Sequence, residues 1–269
     1  MNGGRSAPQR RTVVVVGMHR SGTSALAGAL ARLGLALPHD LMPAQGDNPR
    51  GFHEPIGIAG LNDRILESAG GAWDRPPTLL PDEMMRWLPE ATAAVAASFA
   101  GLTAIVLKDP RISLLRPLWD EAMRAHGFRP RYVLIHRNPL DVAASLAARN
   151  GLSREAGLRL WLCYVRAALT TGGFAAVVGF EELLAQPQFV LSELAASLAL
   201  EPSDIDAAAA TLDGEDRHYQ TGKHAFDEGD AAPAAVKDAW WLLRRWHSCT
   251  PLERQWAIDR IGGQAELKA

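Results

Sequence analysis

A short glycine-containing loop near the amino terminus has the residue types and spacing of an anion-binding site. Residues 17–24 read GMHRSGTS, and they stand between a β-branched apolar run and a segment with helical patterning. The spacing is that of the phosphate-binding sequence G-x-x-x-x-G-K-[ST], except that Thr23 stands where the lysine belongs. Glycines let consecutive backbone N–H groups face one anion, and the start of a helix adds positive potential. The loop therefore predicts a cradle for a phosphate or a similar anion.

The side chains of this loop add hydroxyl donors and one cation to the predicted cradle. Arg20 stands two residues before Gly22, whereas a nucleoside-triphosphate hydrolase needs a cation after that glycine to bridge the β and γ phosphates. A serine-rich and glycine-rich turn that only caps a helix is the alternative interpretation. The residues expected to hold an anionic nucleotide here are His19, Arg20, Ser21, Gly22, Thr23 and Ser24.

A second segment predicts another anion-binding position. Residues 133–145 read VLIHRNPLDVAAS, in which a buried strand leads to Asn138, a good helix cap. Arg137 then falls at the carboxyl end of a strand, where open α/β sheets bind their ligands. Ser145 follows two helical turns later, so an arginine and a hydroxyl are available for a second phosphate. The alternative is that Arg137 pairs with Asp141.

Short buried strands that alternate with helices must position these loops. Such alternation predicts a doubly wound α/β fold with a parallel sheet, here a three-layer sandwich with a central parallel sheet of the P-loop nucleotide-hydrolase type. The predicted strands are Thr12–Val16, Thr103–Leu107, Tyr132–Ile135 and Ala175–Val178. The predicted helices are 23–33, 55–69, 83–99, 113–126, 140–148, 154–171, 188–199 and about 234–261, and 213–233 is predicted to be a long loop.

The composition excludes several classes of protein. The chain has 269 residues, 48% of them hydrophobic and 22% charged, with a formal net charge of −2, which is typical of a globular protein and gives no overall field for nucleic acid or anionic lipid. No apolar run reaches the roughly 20 residues that span a bilayer. Two distant cysteines, Cys163 and Cys249, indicate thiols in a reducing cytoplasm. We expect a disordered leader over 1–11 and a single domain over 12–269.

The two loops together resemble those of the sulfotransferases that use 3′-phosphoadenosine 5′-phosphosulfate (PAPS). That family has a modified P-loop for the 5′-phosphosulfate and a strand–Arg–helix–Ser segment for the 3′-phosphate. The arginine and the serine of that segment are eight positions apart, as are Arg137 and Ser145. The chain is similar to bacterial members in consistent order over about 12–200. The further segments that carry the resemblance are NPRGFHEP at 48–55, LKDPR at 107–111, HRNPLDVAASL at 136–146 and VGFEELL at 178–184.

The chain departs from the steroid and phenol branch of that family in two places. Arg20 stands where that branch has a lysine in its first loop. The carboxyl-terminal loop that closes over the 3′-phosphate in that branch has no clear counterpart, and Arg217, with His218 and Lys223, is expected to replace it.

The resemblance implies in-line transfer of a sulfuryl group from PAPS to a hydroxyl or amine acceptor, with adenosine 3′,5′-bisphosphate (PAP) as product and no metal. Arg20 and the loop amides would stabilise the developing charge. Glu54 is the first choice of general base because it matches a glutamate in related branches, and His53 is the second because its pKa suits the task. The alternative role for Glu54 is to cap the helix that follows.

The turn after the second predicted strand supplies further candidates. Lys108 is expected to contact the sulfonate or the acceptor, and Arg111 either holds an anionic acceptor or pairs with Asp109. An ordinary solvated turn is the alternative. The run WWLLRRWHS at 240–248 either binds a sugar or a lipid interface, or packs its tryptophans on the core.

Two other functions stay open from the sequence. One is a P-loop small-molecule kinase with a degenerate Walker A sequence, and the other is a non-catalytic nucleotide-binding module. The expected acceptor is a carbohydrate or a small metabolite. The partners expected do not include nucleic acid, and the oligomeric state is not readable from the sequence.

Overall fold

The structure is a computed structural model that describes residues 10–43, 51–201, 204–212 and 232–263. In this part of the chain, four parallel strands form the central sheet. The order across the sheet is β2-β1-β3-β4, so the first strand lies between the second and the third. Every neighbouring pair is parallel, which brings the carboxyl ends of all these strands to one edge. The strands are β1 (Arg10–Val16), β2 (Ala104–Lys108), β3 (Phe128–His136) and β4 (Phe174–Gly179).

Helices cover both faces of the sheet, because successive side chains of β1 point to opposite faces and are apolar on both. Val14 and Val16 pack into one hydrophobic cluster, whereas Val13 and Val15 pack into another on the opposite face. The first face is covered by α2 (Ile56–Ser68), α3 (Pro81–Met85), α4 (Leu88–Ser98), α5 (Ile112–Ala125), α6 (Pro139–Asn150), α7 (Arg154–Thr171), α11 (Ala234–Arg244) and α12 (Pro251–Gly263). The second is covered by α1 (Thr23–Arg32), α8 (Phe180–Ala185), α9 (Pro187–Leu198) and α10 (Ile205–Ala209).

This arrangement confirms the predicted three-layer α/β sandwich. Buried strands covered on both faces are apolar almost without interruption, which is why the sequence shows them as short β-branched runs. No helix in the described ranges is both long enough and apolar enough to cross a membrane.

The first strand begins earlier than its apolar run. Arg10 and Arg11 belong to β1, although we expected them in a disordered leader over 1–11. Residues 1–9 lie outside the described part. Arg10 pairs in register with Phe128, lies over its ring at 5.1 Å and donates from Nη1 to the His126 carbonyl at 3.0 Å. A charged side chain can enter a strand here because the ring and the carbonyl accept its guanidinium.

Two predicted helices are each divided by a proline. The helix predicted over 83–99 is α3 followed by α4, because Pro89 lacks an N–H and its ring would clash with the carbonyl four residues earlier. The segment predicted over 234–261 is α11, a 3-10 turn at Trp246–Ser248 and α12, which begins at Pro251.

Candidate active site

The first loop leaves β1 and curls before α1 begins. Arg20 has φ 68° and Gly22 has φ 87°, so two residues separated by Ser21 adopt the left-handed conformation. The Ser21 N–H donates to the Met18 carbonyl at 3.2 Å, which closes the turn. Alternation of right- and left-handed residues is the backbone geometry of anion-binding nests.

Close packing explains both glycines of this loop. A Cβ on Gly22 would lie 2.1 Å from a ring carbon of Phe180, and one on Gly17 would lie 2.3 Å from the Ile135 carbonyl oxygen. The Gly17 N–H also donates to Ser113 Oγ of α5 at 3.1 Å. The loop is therefore pressed against β3, α8 and α5, and any side chain at either glycine would displace it.

The second predicted segment meets the first loop directly. Arg20 Nε donates to Ser145 Oγ at 2.9 Å, and Arg137 Nη1 donates to the Arg20 carbonyl at 3.3 Å. Asn138 accepts from the Leu140 N–H and so caps α6 as expected. Arg137 Nε also lies 3.9 Å from Asp141 Oδ2, which is the ion pair considered as the alternative from the sequence. The structure thus brings Arg20, Arg137 and Ser145 together.

Two residues of α8 belong to this site although the sequence did not single them out. The Phe180 ring lies beneath Gly22 and 5.0 Å from the Arg137 guanidinium carbon. Glu181 Oε1 accepts from the Asn138 N–H at 2.9 Å, and burial raises the pKa of this carboxyl. Their signal was the segment 178–184, which places an aromatic and two acidic residues directly after a strand.

A buried ionic cluster lies on the other side of the first loop, at the end of β2. Lys108 Nζ donates to Ser24 Oγ at 3.1 Å, to the Phe52 carbonyl at 3.0 Å and to Glu54 Oε1 at 2.5 Å. An ammonium has three N–H donors, so these contacts use all of them. We define the ionic cluster as Glu54, Asp63, Lys108, Asp109 and Arg111.

Arg111 is the most heavily paired member of the ionic cluster. Its Nε and Nη2 donate to the two oxygens of Asp109, each at 2.8 Å, its Nη1 donates to Asp63 Oδ1 at 2.7 Å, and its Nη2 reaches Glu54 Oε2 at 3.2 Å. Pairing with Asp109, one of the two roles considered from the sequence, is therefore what the structure has. The interpretation of 108–111 as an ordinary solvated turn is wrong, because Lys108 and Asp109 are buried.

Glu54 and His53 point in different directions. Glu54 is buried in the ionic cluster rather than at the start of α2, where Pro55 is the capping residue. The His53 ring instead lies against Gly28 of α1, with φ 55° at its backbone. Burial raises the pKa of Glu54, against the opposing effect of Lys108, and burial together with Lys108 lowers the pKa of His53.

His19 turns toward the ionic cluster rather than toward Arg137. Its ring centroid lies 4.8 Å from that of Trp73 and 5.6 Å from that of Tyr164, and Tyr164 donates to the Trp73 carbonyl at 2.9 Å. Burial, assisted by Arg111, holds the pKa of His19 well below its usual value, so the ring is neutral at physiological pH.

The remaining predicted residues divide into placed and unplaced ones. Thr23 is buried at the first turn of α1, and Ser24 Oγ donates to the Phe52 carbonyl at 3.1 Å. Arg217 and most of the predicted loop over 213–233 lie outside the described residues. Within the described ranges, no three histidine, cysteine, aspartate or glutamate side chains are grouped so that they could hold a metal ion.

Two of the three tryptophans in the tryptophan-rich run pack on the core. Trp240 is buried and meets the His136 ring edge-on at 5.5 Å, whereas Trp241 is 46% exposed. Trp246 packs edge-on against Phe174 at 5.9 Å. Most of the run therefore packs on the core, and no contact described places it in the site.

Neither a family model nor a curated protein matches the chain. Solved structures do match it. A sulfotransferase from Mycobacterium avium is 17% identical, with a TM-score of 0.50 over 88% of this chain and 77% of that chain. The sulfotransferase domain of an olefin synthase from Synechococcus PCC 7002 is 18% identical, with a TM-score of 0.47 over 98% of both chains. A sulfotransferase from Alicyclobacillus acidocaldarius is 17% identical, with a TM-score of 0.45 over 93% of this chain and 99% of that chain.

The topology first places the chain among α/β proteins with a P-loop-like turn after a central parallel strand. Within that class, its four-stranded parallel sheet flanked by helices matches the sulfotransferase fold of the Mycobacterium avium structure. The predicted fold class is confirmed at this level.

Proposed function

We propose that this protein transfers a sulfuryl group from PAPS to a hydroxyl or amine acceptor, on a carbohydrate or a small metabolite. The observation that carries the proposal is that the two segments predicted to bind anions contact each other. Arg20 of the first loop bonds Ser145 of α6, and Arg137 bonds the Arg20 backbone. A nucleotide with phosphate groups at both its 5′ and 3′ positions needs two such segments within its own length.

The residues of the first loop fit the 5′-phosphosulfate end of that nucleotide. Ser21 Oγ is buried and has no hydrogen-bond partner in the described structure, as expected of a donor whose partner is a ligand. The left-handed residues at 20 and 22 add a nest of backbone N–H groups at the start of α1. Arg137 and Ser145 would hold the 3′-phosphate.

The chemistry is a displacement at sulfur. PAPS supplies the sulfuryl group and leaves as PAP, keeping the electron pair of the broken bond between sulfur and the 5′-phosphate oxygen. Glu54 accepts the proton of the acceptor hydroxyl while the new bond between the acceptor oxygen and sulfur forms. Arg20 and the loop amides stabilise the negative charge that develops on the leaving oxygen, and removal of one such donor typically costs about 10²–10³ in rate.

One contact favours sulfuryl transfer over a P-loop kinase. In P-loop kinases the hydroxyl that follows the lysine is a ligand of Mg²⁺. Here Ser24 Oγ lies 3.1 Å from the Lys108 ammonium and donates to the Phe52 carbonyl. A divalent cation at that oxygen would be repelled by the ammonium at close range. A side-chain cation therefore supplies positive charge at the position that a kinase reserves for a metal.

The first experiment compares nucleotides by thermal shift. We expect PAP to raise the melting temperature in the presence of EDTA, because the proposed site uses side chains and backbone amides alone. ATP with Mg²⁺ should give a smaller shift. Stabilisation by ATP with Mg²⁺ and not by PAP would show that the kinase alternative is correct.

The second experiment measures PAP release from PAPS in the presence of acceptors. A panel of saccharides, small hydroxylated metabolites and amines, assayed with and without EDTA, gives both the acceptor class and the metal requirement. PAP binding without release for any acceptor would favour the non-catalytic nucleotide-binding module.

A further inference from the structure

We propose that Arg111 is a positioning residue that keeps Glu54 ionised and fixes its orientation, so that Glu54 can take the proton from the acceptor group. The sequence assigned Arg111 to an acceptor or to Asp109 alone, and its contact with Glu54 gives it a different role. The proposal rests on the proposed function, because it concerns the base of that reaction.

The orientation of the Arg111 guanidinium is fixed by two carboxylates other than Glu54. Asp109 is completely buried and accepts two parallel hydrogen bonds from the guanidinium, while its Oδ1 also accepts from the Arg111 backbone N–H at 2.8 Å. Such a bidentate pair restricts the planar guanidinium more than a single hydrogen bond would. Asp63 of α2 binds the remaining side at Nη1. The guanidinium is therefore held in place whether or not an acceptor is bound.

The two oxygens of Glu54 are held by two different cations. Oε1 accepts from Lys108 at 2.5 Å, and Oε2 accepts from Arg111 at 3.2 Å. Two contacts at different oxygens fix the rotation of the carboxyl group, which either contact alone would leave free. A carboxylate has about four lone-pair directions, so each oxygen can accept one further hydrogen bond, and one of them can take up the proton.

The charge balance around Glu54 explains why a second cation is needed. Burial raises the pKa of Glu54, and Asp109 raises it further, whereas Lys108 and Arg111 lower it. Without Arg111, the carboxylates of Asp109 and Glu54 would share a buried site with Lys108 alone. The charged and titratable groups around Glu54 are Lys108 at the end of β2, Asp109 and Arg111 in the turn to α5, Asp63 of α2, His19 of the first loop and the neighbouring His53.

The test compares the pH dependence of Arg111→Met with that of Arg116→Met. Arg116 is a matched control because it is another buried arginine, on α5, that stacks over Tyr132 at 3.6 Å outside the ionic cluster. A cation close to a carboxylate lowers its pKa by about 1–3 units, so Arg111→Met should move the acidic limb of the kcat profile to higher pH by about that amount. Turnover near neutral pH should fall about tenfold or more, and the loss should shrink as the pH rises. Arg116→Met should lower the melting temperature and leave the limb in place.

A measurement without turnover separates this proposal from the proposed function. In protein labelled with ¹³C at the glutamate carboxyl groups, the Glu54 resonance is identified by its loss in Glu54→Gln, and its pKa is read by titration. We expect that pKa to rise in Arg111→Met. If it rises while the native protein transfers sulfuryl to no acceptor, Arg111 keeps its role and the proposed function is wrong.

The opposite result would overturn the role of Arg111. If the native protein turns over but neither the Glu54 titration nor the acidic limb moves in Arg111→Met, Arg111 does not act on Glu54. Arg111→Lys covers the case in which Arg111→Met does not fold, since it keeps the charge without the bidentate geometry. Arg111→Lys should give an intermediate shift and recover part of the turnover, and an unchanged titration and limb would again contradict the proposal.

Discussion

The two sides of the first loop are built by different means. Toward β3 and β4, the cradle depends on backbone geometry, with left-handed residues at 20 and 22 and glycines pressed against Ile135 and Phe180. Toward β2, the ionic cluster depends on side-chain charges at distances of 2.5–3.2 Å. Backbone amides do not titrate, whereas carboxylates do. In the proposed function, the cradle binds the anion through backbone groups that do not titrate, and the ionic cluster moves the proton.

The largest effect that would sharpen this contrast is expected from Glu54→Gln. The amide cannot accept a proton, so kcat should fall by about 10²–10⁴ while PAP affinity stays close to native. Steady-state kinetics and calorimetric titration with PAP measure the two quantities. Glu121→Gln, at an exposed position of α5, is the control. Full activity of Glu54→Gln would transfer the role of base to His53 or another residue.

Gly22→Ala, in contrast to Glu54→Gln, should mainly weaken PAP binding. Its Cβ would meet the Phe180 ring at 2.1 Å in a backbone with φ 87°, so the loop must shift. Strain and overpacking of this kind cost about 2–3 kcal/mol, or about 10²-fold in PAP affinity if the loss falls on the binding geometry. Gly101→Ala has a similar φ of 74° and nothing within 4 Å of the new atom. Equal losses of stability in both variants would mean that backbone strain alone, and not contact with Phe180, makes Gly22 necessary.

Arg137→Ala should weaken PAP binding by a smaller amount. Loss of a charge-assisted hydrogen bond costs about 1.5–3 kcal/mol, which corresponds to about 10- to 10²-fold in affinity. The kinetic acidic limb should not move, because the limb belongs to the ionic cluster. Arg129→Ala changes an exposed arginine of β3, the strand that leads to Arg137, and serves as control. Unchanged PAP affinity in Arg137→Ala would remove this residue from the site.

The smallest effect concerns stability at the end of β3, directly before Arg137. Burial lowers the pKa of His136 to about 3, so the folded protein keeps this imidazole neutral. Between about pH 3 and pH 6.5 the unfolded chain binds a proton that the folded chain does not, so stability falls as the pH falls, by up to about 1.4 kcal/mol per pH unit.

His136→Phe should therefore flatten the dependence of melting temperature on pH between about 5 and 6.5. His39→Phe, at a histidine that bonds the Ala100 carbonyl near the surface, should leave the slope as it is. An equal slope in the native protein and in His136→Phe would show that His136 does not carry this dependence.

The sequence predicted the strands and helices well where the apolar periodicity agrees with the residues that begin and end these elements. It missed the first half of β3, because the charged residues at 129 and 131 and Pro130 interrupt the apolar pattern, which resumes at Tyr132. The pairing of β3 with β4 begins at Tyr132 and is irregular between Tyr132 and Val133. Sequence reasoning takes a proline as evidence against a central strand, and here the sheet accommodates it.

The contacts of the candidate site could be predicted only in part. The eight-residue spacing of Arg137 and Ser145 is local and was read from the sequence, but the bond from Arg20 to Ser145 spans 125 residues. The contacts of Glu54 with Lys108 and Arg111 span 54 and 57 residues, and Glu54 lies in a segment without periodicity. Spacing along a chain fixes neighbours on one element, whereas these contacts depend on how separate elements pack.

A single hydroxyl lies between the cradle and the ionic cluster. Ser113 lies two residues after Arg111, and its Oγ accepts from the Gly17 N–H at 3.1 Å and lies 3.4 Å from the Gly17 carbonyl oxygen. This hydroxyl joins the start of the first loop to the segment that carries Arg111. In the proposed reaction, the distance between the bound anion and Glu54 therefore depends on this contact between the first loop and α5.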